Sequence, residues 1–241
     1  MRLLLTLRPE RNFPRWAVGK HSIQSMIYYH LRGTEYEDIN DRPGFKFFCF
    51  SDLFPGGDFR REKPKNLLIS SPDEAFIETL YERLSGVEKV VLGRYTLTVE
   101  KLKKFRLKPR STFATGSPVV VRAPEGAGRY FTFHEHGDVE YFRERLKENA
   151  LSKYRAFTGE DFELEGPLFR KMVPKVRRNG WIDVYVRVSV RGKHFDVPGS
   201  NWERLEVDLN DNNRDFYAFL MDAGLGVLNS LGFGFLNPLR E

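Results

Sequence analysis

Twice along this chain of 241 residues a strand pattern gives way to a helix pattern, two strand patterns, a second helix pattern and a closing strand. The first pass starts with the apolar run Arg2–Leu7. Between Gly19 and Leu31, Ile23, Met26, Ile27 and Leu31 recur at helical spacing. An aromatic strand is expected over Phe45–Phe54, a polar loop over Pro55–Lys65, and a strand over Asn66–Ser70. Ser71-Pro72-Asp73-Glu74 reads as a helix start, with a capping serine, an early proline and a glutamate closing the box. Phe76, Leu80 and Leu84 continue one helix face, and Val87–Val99 returns to strand.

The second pass has a strand at Val119–Arg122 and an amphipathic helix over Asp138–Tyr154, with Val139, Phe142, Leu146, Ala150 and Leu151 inward. Phe162–Val176 and Trp181–Val190 read as a hairpin around Asn179-Gly180, a type I′ turn signal. A helix over Asp211–Ala223 and a strand over Leu231–Leu236 complete it. The order predicts an α+β protein made of two tandem ferredoxin-like (βαββαβ) domains. Their expected bounds are 1–100 and 118–241, joined by a basic linker at 101–117.

No apolar run approaches the ~20 residues that span a bilayer, and the opening Met1–Glu10 is too short for a signal peptide. The single cysteine, Cys49, excludes an internal disulfide and a cysteine-based metal cage. A soluble, cytoplasmic protein without a membrane partner is the expectation. The 30% charged content and the lone glutamine, Gln24, also fit a heat-adapted protein.

The net charge of +6 is unevenly spread. Residues 101–110 hold Lys101, Lys103, Lys104, Arg106, Lys108 and Arg110 without an acid. From Gly166 to Ile182 come Arg170, Lys171, Lys175, Arg177 and Arg178, again without one. A single basic run is ordinarily a solvated face, whereas two acid-free runs suggest a polyanion partner.

Near the C-terminal end, Gly224, Gly226, Gly232 and Gly234 fall within eleven positions, as two Gly-apolar-Gly triplets after a helix. Gly224 stands where a helix C-cap glycine belongs. A loop with so little side-chain bulk can expose backbone N–H groups to a phosphate. The bland alternative is a tight helix-to-strand turn.

The spacing of these glycines, the tandem domains, the basic hairpin and the segment Ser111–Val119 together resemble one family over nearly the whole chain. It is the CRISPR-associated endoribonucleases that process repeat RNA, the "Cas six" family of the RAMP superfamily. The resemblance implies single-stranded CRISPR repeat RNA as partner. It assigns phosphate contacts to Lys103, Lys104, Arg106, Lys108, Arg170, Lys171, Lys175, Arg177, Arg178 and the four loop glycines. Aromatic side chains could stack bases. It leaves open whether the chain forms a homodimer or associates with CRISPR effector proteins.

Members that cut RNA do so without metal or other cofactor. A 2′-hydroxyl attacks the neighbouring phosphate and leaves a 2′,3′-cyclic phosphate. Archaeal relatives use a tyrosine on the first helix, a histidine in the following loop, and a lysine at the next strand. Tyr28 and Lys46 match the tyrosine and lysine, while the histidine position, six residues before Lys46, holds Asn40. Asparagine hydrogen-bonds a phosphate but exchanges no proton near neutral pH. The expectation is therefore a repeat-RNA-binding member with absent or weak cleavage, its catalytic positions Tyr28, Asn40 and Lys46 vestigial. The alternative is an active metal-independent endoribonuclease using His21 or His30 as acid/base.

His21 lies seven positions before Tyr28, on roughly the same side of the helix and ~10 Å away. His30 points elsewhere. His134 and His136 alternate at a strand end but have no third ligand at useful spacing, so no metal site is expected. His194 has no neighbouring chemistry in the sequence.

Overall fold

The computed structural model describes residues 1–124, 129–190 and 192–239; the last two residues of the expected second domain therefore lie outside the described residues. The first unit contains β1 (Arg2–Pro9), α1 (Lys20–His30), β2 (Cys49–Phe50), β3 (Lys65–Ser70), α2 (Glu74–Leu84), β4 (Lys89–Leu92) and β5 (Tyr95–Phe105). Its antiparallel sheet has the order β2-β3-β1-β5-β4. β1 is central, pairing Leu5 with Leu67 on one side and with Leu102 on the other. Leu3, Leu5 and Leu7 alternate into the core, where they meet Ile23 and Ile27 of α1 and Ile77 and Leu80 of α2.

The second unit contains β6 (Thr112–Thr115), α3 (Val139–Thr158), β7 (Lys171–Pro174), β8 (Asp183–Val190), β9 (Lys193–Ser200), β10 (Trp202–Glu206), α4 (Arg214–Ala223) and β11 (Leu236–Pro238). Its sheet runs β11-β6-β10-β7, and β8 and β9 form a separate two-stranded ribbon. Each unit thus closes the ferredoxin-like order, the first with an extra hairpin strand and the second with an inserted ribbon. Phe142, Leu146 and Ala150 of α3 and Phe216 and Leu220 of α4 fill the second core.

Several sequence boundaries move. The first strand of the second unit is β6, not Val119–Arg122; Val119 makes one bridge to Ser200 and Arg122 one to Tyr130. β5 runs to Phe105 and β6 opens at Thr112, so strands enter the stretch expected as linker. The aromatic segment narrows to Cys49–Phe50, because Phe47 turns into the left-handed region at φ 50°. Asp73, not Ser71, caps α2, accepting from the amides of Ala75 and Phe76; the Ser71 hydroxyl is used on the Phe47 carbonyl.

The expected hairpin also re-pairs. Asn179-Gly180 does lie in a turn, but not of type I′: the Gly180 amide bonds the Arg177 carbonyl, so Arg178 and Asn179 are its central residues, and of the expected pair only Gly180, at φ 80°, has a positive φ. The strand before that turn, β7, pairs with β10, whereas the strand after it, β8, pairs with β9. Apolar alternation marks a strand but leaves its partner undefined.

Two buried cations, Arg2 and Lys20, join the units, and a third, Lys153, ties α3 to the glycine-rich loop within the second. The Arg2 guanidinium reaches Asp222 at 3.0 Å and the carbonyls of Met221 and Leu236. Burial pulls its pKa down, and Asp222 opposes that shift. Lys20 donates to Asp52 and to the Gly232 carbonyl, both at 2.6 Å. Lys153, from α3, donates to the carbonyls of Gly224 and Gly226 and to Asn229 Oδ1. Among the described residues, no helix is long and apolar enough to cross a membrane.

Candidate nucleic-acid interface

The glycine-rich segment is a packed element. All four of its glycines are buried, and each takes a positive φ. A Cβ at Gly226 would strike the Val120 carbonyl, one at Gly232 the Phe50 ring, and one at Gly234 the Leu225 carbonyl. One at Gly224 would lie 3.0 Å from Cys49 Sγ. Glycine is needed because the backbone passes within contact of both units. The amides of Gly224, Gly232 and Gly234 bond the carbonyls of Leu220, Asn229 and Pro118. The donors expected to cradle a phosphate are thus spent inside the fold at those three glycines.

The middle of the loop has another role. Gly226–Ser230 form one wall of a cleft of about 370 Å³. The facing wall is Gly44–Phe48, which carries Lys46; Arg122, Arg129 and Tyr130 enclose the remainder, and Lys153 lies at the base. Four cations line this cleft, and no carboxylate does so among the described residues. A low-dielectric hollow with one sign of charge concentrates its field on an anion.

Tyr28 borders the same loop. Gln24 Nε2 donates to the Tyr28 hydroxyl at 3.3 Å and to the Ser230 carbonyl at 3.0 Å. Gln24 Oε1 lies 3.4 Å from His21 Nδ1. One side chain therefore links His21, Tyr28 and the loop. Burial raises the Tyr28 pKa, with hydrogen bonds from Ser230 and Gln24 opposing it, so the phenol is a proton donor at neutral pH.

The three positions of the catalytic expectation separate. Tyr28 and Lys46 approach the loop, but Asn40 is exposed and its amide bonds Asp41 Oδ1 at 3.2 Å; it does not line the cleft. His30 lies elsewhere, in a surface hollow with Tyr29, Arg32, Glu82 and Arg83. Burial, and then Arg83, lower its pKa. His134 stacks on Trp181 at 4.4 Å, and His194 Nδ1 lies 2.7 Å from the Ser189 hydroxyl.

The two basic runs are acid-free in sequence but not in space. Arg106 forms a bidentate pair with Glu74 at 2.6 Å, and Lys104 pairs with Glu78. Arg170 meets Glu206 at 2.7 Å and Asp208 at 3.4 Å, and Lys171 lies 3.9 Å from Glu206. Lys103 lies on β5, Lys108 follows it, and Lys175, Arg177 and Arg178 lie in the exposed arm between β7 and β8. None of these nine cations lines the cleft. The residues that do, Arg122, Arg129, Tyr130 and Lys153, were missed, as was Gln24. Gln24 was findable from its spacing of three and four to His21 and Tyr28. Lys153 was findable as a lysine on the apolar stripe of its helix, after Phe142, Leu146 and Ala150.

Two ferredoxin-like units that close around a cationic cleft define a tandem ferredoxin-like protein. Residues 100–238 match the family model described as CRISPR associated protein Cas6, C-terminal. The chain is 46% identical over 242 aligned residues to CRISPR-associated endoribonuclease Cas6 2 of Methanocaldococcus jannaschii, with 100% of both chains covered. It is 25% identical to CRISPR-associated endoribonuclease Cas6 of Haloferax mediterranei, over 100% of this chain and 94% of that one. This chain belongs to the Cas6 family. Its fold is similar to that of a Cas6-related protein from Pyrococcus furiosus, with a TM-score of 0.70, 19% identity, and 100% and 99% of the two chains covered. An RAMP protein described as binding different RNA substrates has a TM-score of 0.70 at 22% identity, with both chains fully covered.

Proposed function

We propose that this chain binds CRISPR repeat RNA with a backbone phosphate in the cleft between Lys46 and Gly226–Ser230, and that it cuts the RNA weakly. The observation that carries this reading is the cleft's lining of four cations without a carboxylate among the described residues. Relatives named as endoribonucleases support repeat RNA as the substrate. Slow cutting follows from the groups at hand. Lys46 is a cation for the phosphate, Tyr28 is a protonated donor, and no histidine lines the cleft among the described residues. General acid–base chemistry at neutral pH is served best by a group titrating near that pH.

A second reading, an efficient metal-independent endoribonuclease, is favoured by the His21–Gln24–Tyr28 chain of contacts. Labelled repeat RNA incubated with a chelator separates the two, with binding read on a native gel and products on a denaturing gel. Tight binding with slow or no cutting fits the first. Rapid cutting to a 2′,3′-cyclic phosphate, lost in His21→Ala, establishes the second. RNA that does not bind sinks both.

A further inference from the structure

Lys153 is an unusual constituent of the cleft. It is 2% exposed, and its ammonium is held by three neutral oxygens, the carbonyls of Gly224 and Gly226 and Asn229 Oδ1. The two buried cations that join the units have carboxylates, Arg2 with Asp222 and Lys20 with Asp52. Lys153 has none among the described residues. A buried charge without a counter-charge is expensive. Asn229 passes the restraint on, since its amide nitrogen donates to the carbonyls of Leu225 and Phe233 at 2.9 Å each. The loop wall is therefore shaped from behind by one lysine.

We propose that Lys153 is a positioning residue whose missing counter-charge is supplied by a phosphate in the cleft, so that RNA binding is coupled to uptake of a proton. The proposal rests on the RNA-binding reading of the cleft. Burial lowers the Lys153 pKa to about 7 in the free protein. The Cys49 thiol on β2 is the titratable group acting on it from the first unit, and burial pushes that thiol up to about 12. Lys20 of α1 and Arg2 of β1 act on the same thiol. From the cleft side stand the cations Lys46, Arg122 and Arg129. Cys49 opposes the lowering by burial, the cations leave Lys153 short of negative charge, and an anion nearby raises its pKa. The sign follows. A unit or more below that pKa Lys153 is protonated in both states and uptake is near zero; as the pH rises through it the free protein loses the proton while the complex keeps it. Affinity therefore falls with rising pH above 7, by at most about tenfold per pH unit for one proton.

The test is titration calorimetry with repeat RNA carrying 2′-O-methyl riboses, which cannot form a cyclic phosphate. It is run at several pH values in buffers of different ionisation enthalpy. The expected result is an uptake rising from near zero at pH 6 towards about one proton at pH 8, abolished in Lys153→Met and in Lys153→Gln. Wild-type uptake that is absent or that falls between pH 6 and 8 overturns the proposal, whether or not the variants fold. Equal uptake by wild type and a folded variant also overturns it, while leaving the RNA-binding reading intact. Failure of wild type to bind the RNA removes that reading and this inference together.

Discussion

Arg2 and Asp222, 220 positions apart, meet at 3.0 Å in a place where the guanidinium has no exposed surface. This pair clasps the first strand of one unit to the last helix of the other. Asp222→Asn keeps the shape but leaves Arg2 without its counter-charge. A broken buried pair costs about 3–5 kcal/mol. Denaturant unfolding should show a loss of that order, whereas Asp211→Asn, at an exposed ion pair, should change little. Equal effects from the two would show that the clasp contributes nothing special.

Glycine substitutions should sort by surroundings rather than by backbone angle alone. Gly180 and Gly226 both have a positive φ, but a Cβ meets nothing within 4 Å at Gly180 and meets the Val120 carbonyl at Gly226. Gly180→Ala should cost about 1–3 kcal/mol for the backbone conformation. Gly226→Ala adds a collision with backbone that cannot yield, so its thermal midpoint should fall further and RNA affinity should fall with it. Matching midpoints would contradict the close packing.

Gln24 touches both His21 and Tyr28. If His21 acts through it, Gln24→Leu and His21→Ala should lower cleavage by similar factors, and the double variant should be no worse than either. Such non-additivity is the signature of groups working as a unit. Fully additive losses would mean that His21 acts independently of Gln24.

Salt should separate the cleft cations from the surface ones. Each phosphate neutralised on a single strand contributes about −0.7 to the slope of log affinity against log salt. Lys46→Ala and Arg122→Ala should each make that slope shallower by about this amount. Arg106→Ala should change it less, because Arg106 must first release Glu74. A larger effect from Arg106 would move the RNA path onto the β5 face.

The repeated βαββαβ order could be read from the chain because strand and helix periods record which face each element buries, as Leu3, Leu5 and Leu7 show. Strand partners could not be, and β8 pairs with β9, which follows it, rather than across the stronger-looking Asn179-Gly180 signal. The loop glycines were legible as a place of close backbone approach, though not in the phosphate-cradling role expected of their amides. The site was illegible where charge was decided in three dimensions. Glu74 and Glu206 lie far in sequence from the basic runs they neutralise. Lys153 stands on the apolar stripe of α3, three positions after Ala150 and seven after Leu146, and only the loop's carbonyls explain a lysine there.

Lys20 and Gly232 are 212 positions apart, and the loop that carries Gly226–Ser230 packs on Phe50 of the first unit and on Val120 of the second. Gly44–Phe48 and Gly226–Ser230 come from different units, so neither unit encloses the cleft alone. The shape of the hollow is a property of how the two units seat on one another, and a substitution that shifts that seat reaches the cleft without touching its lining.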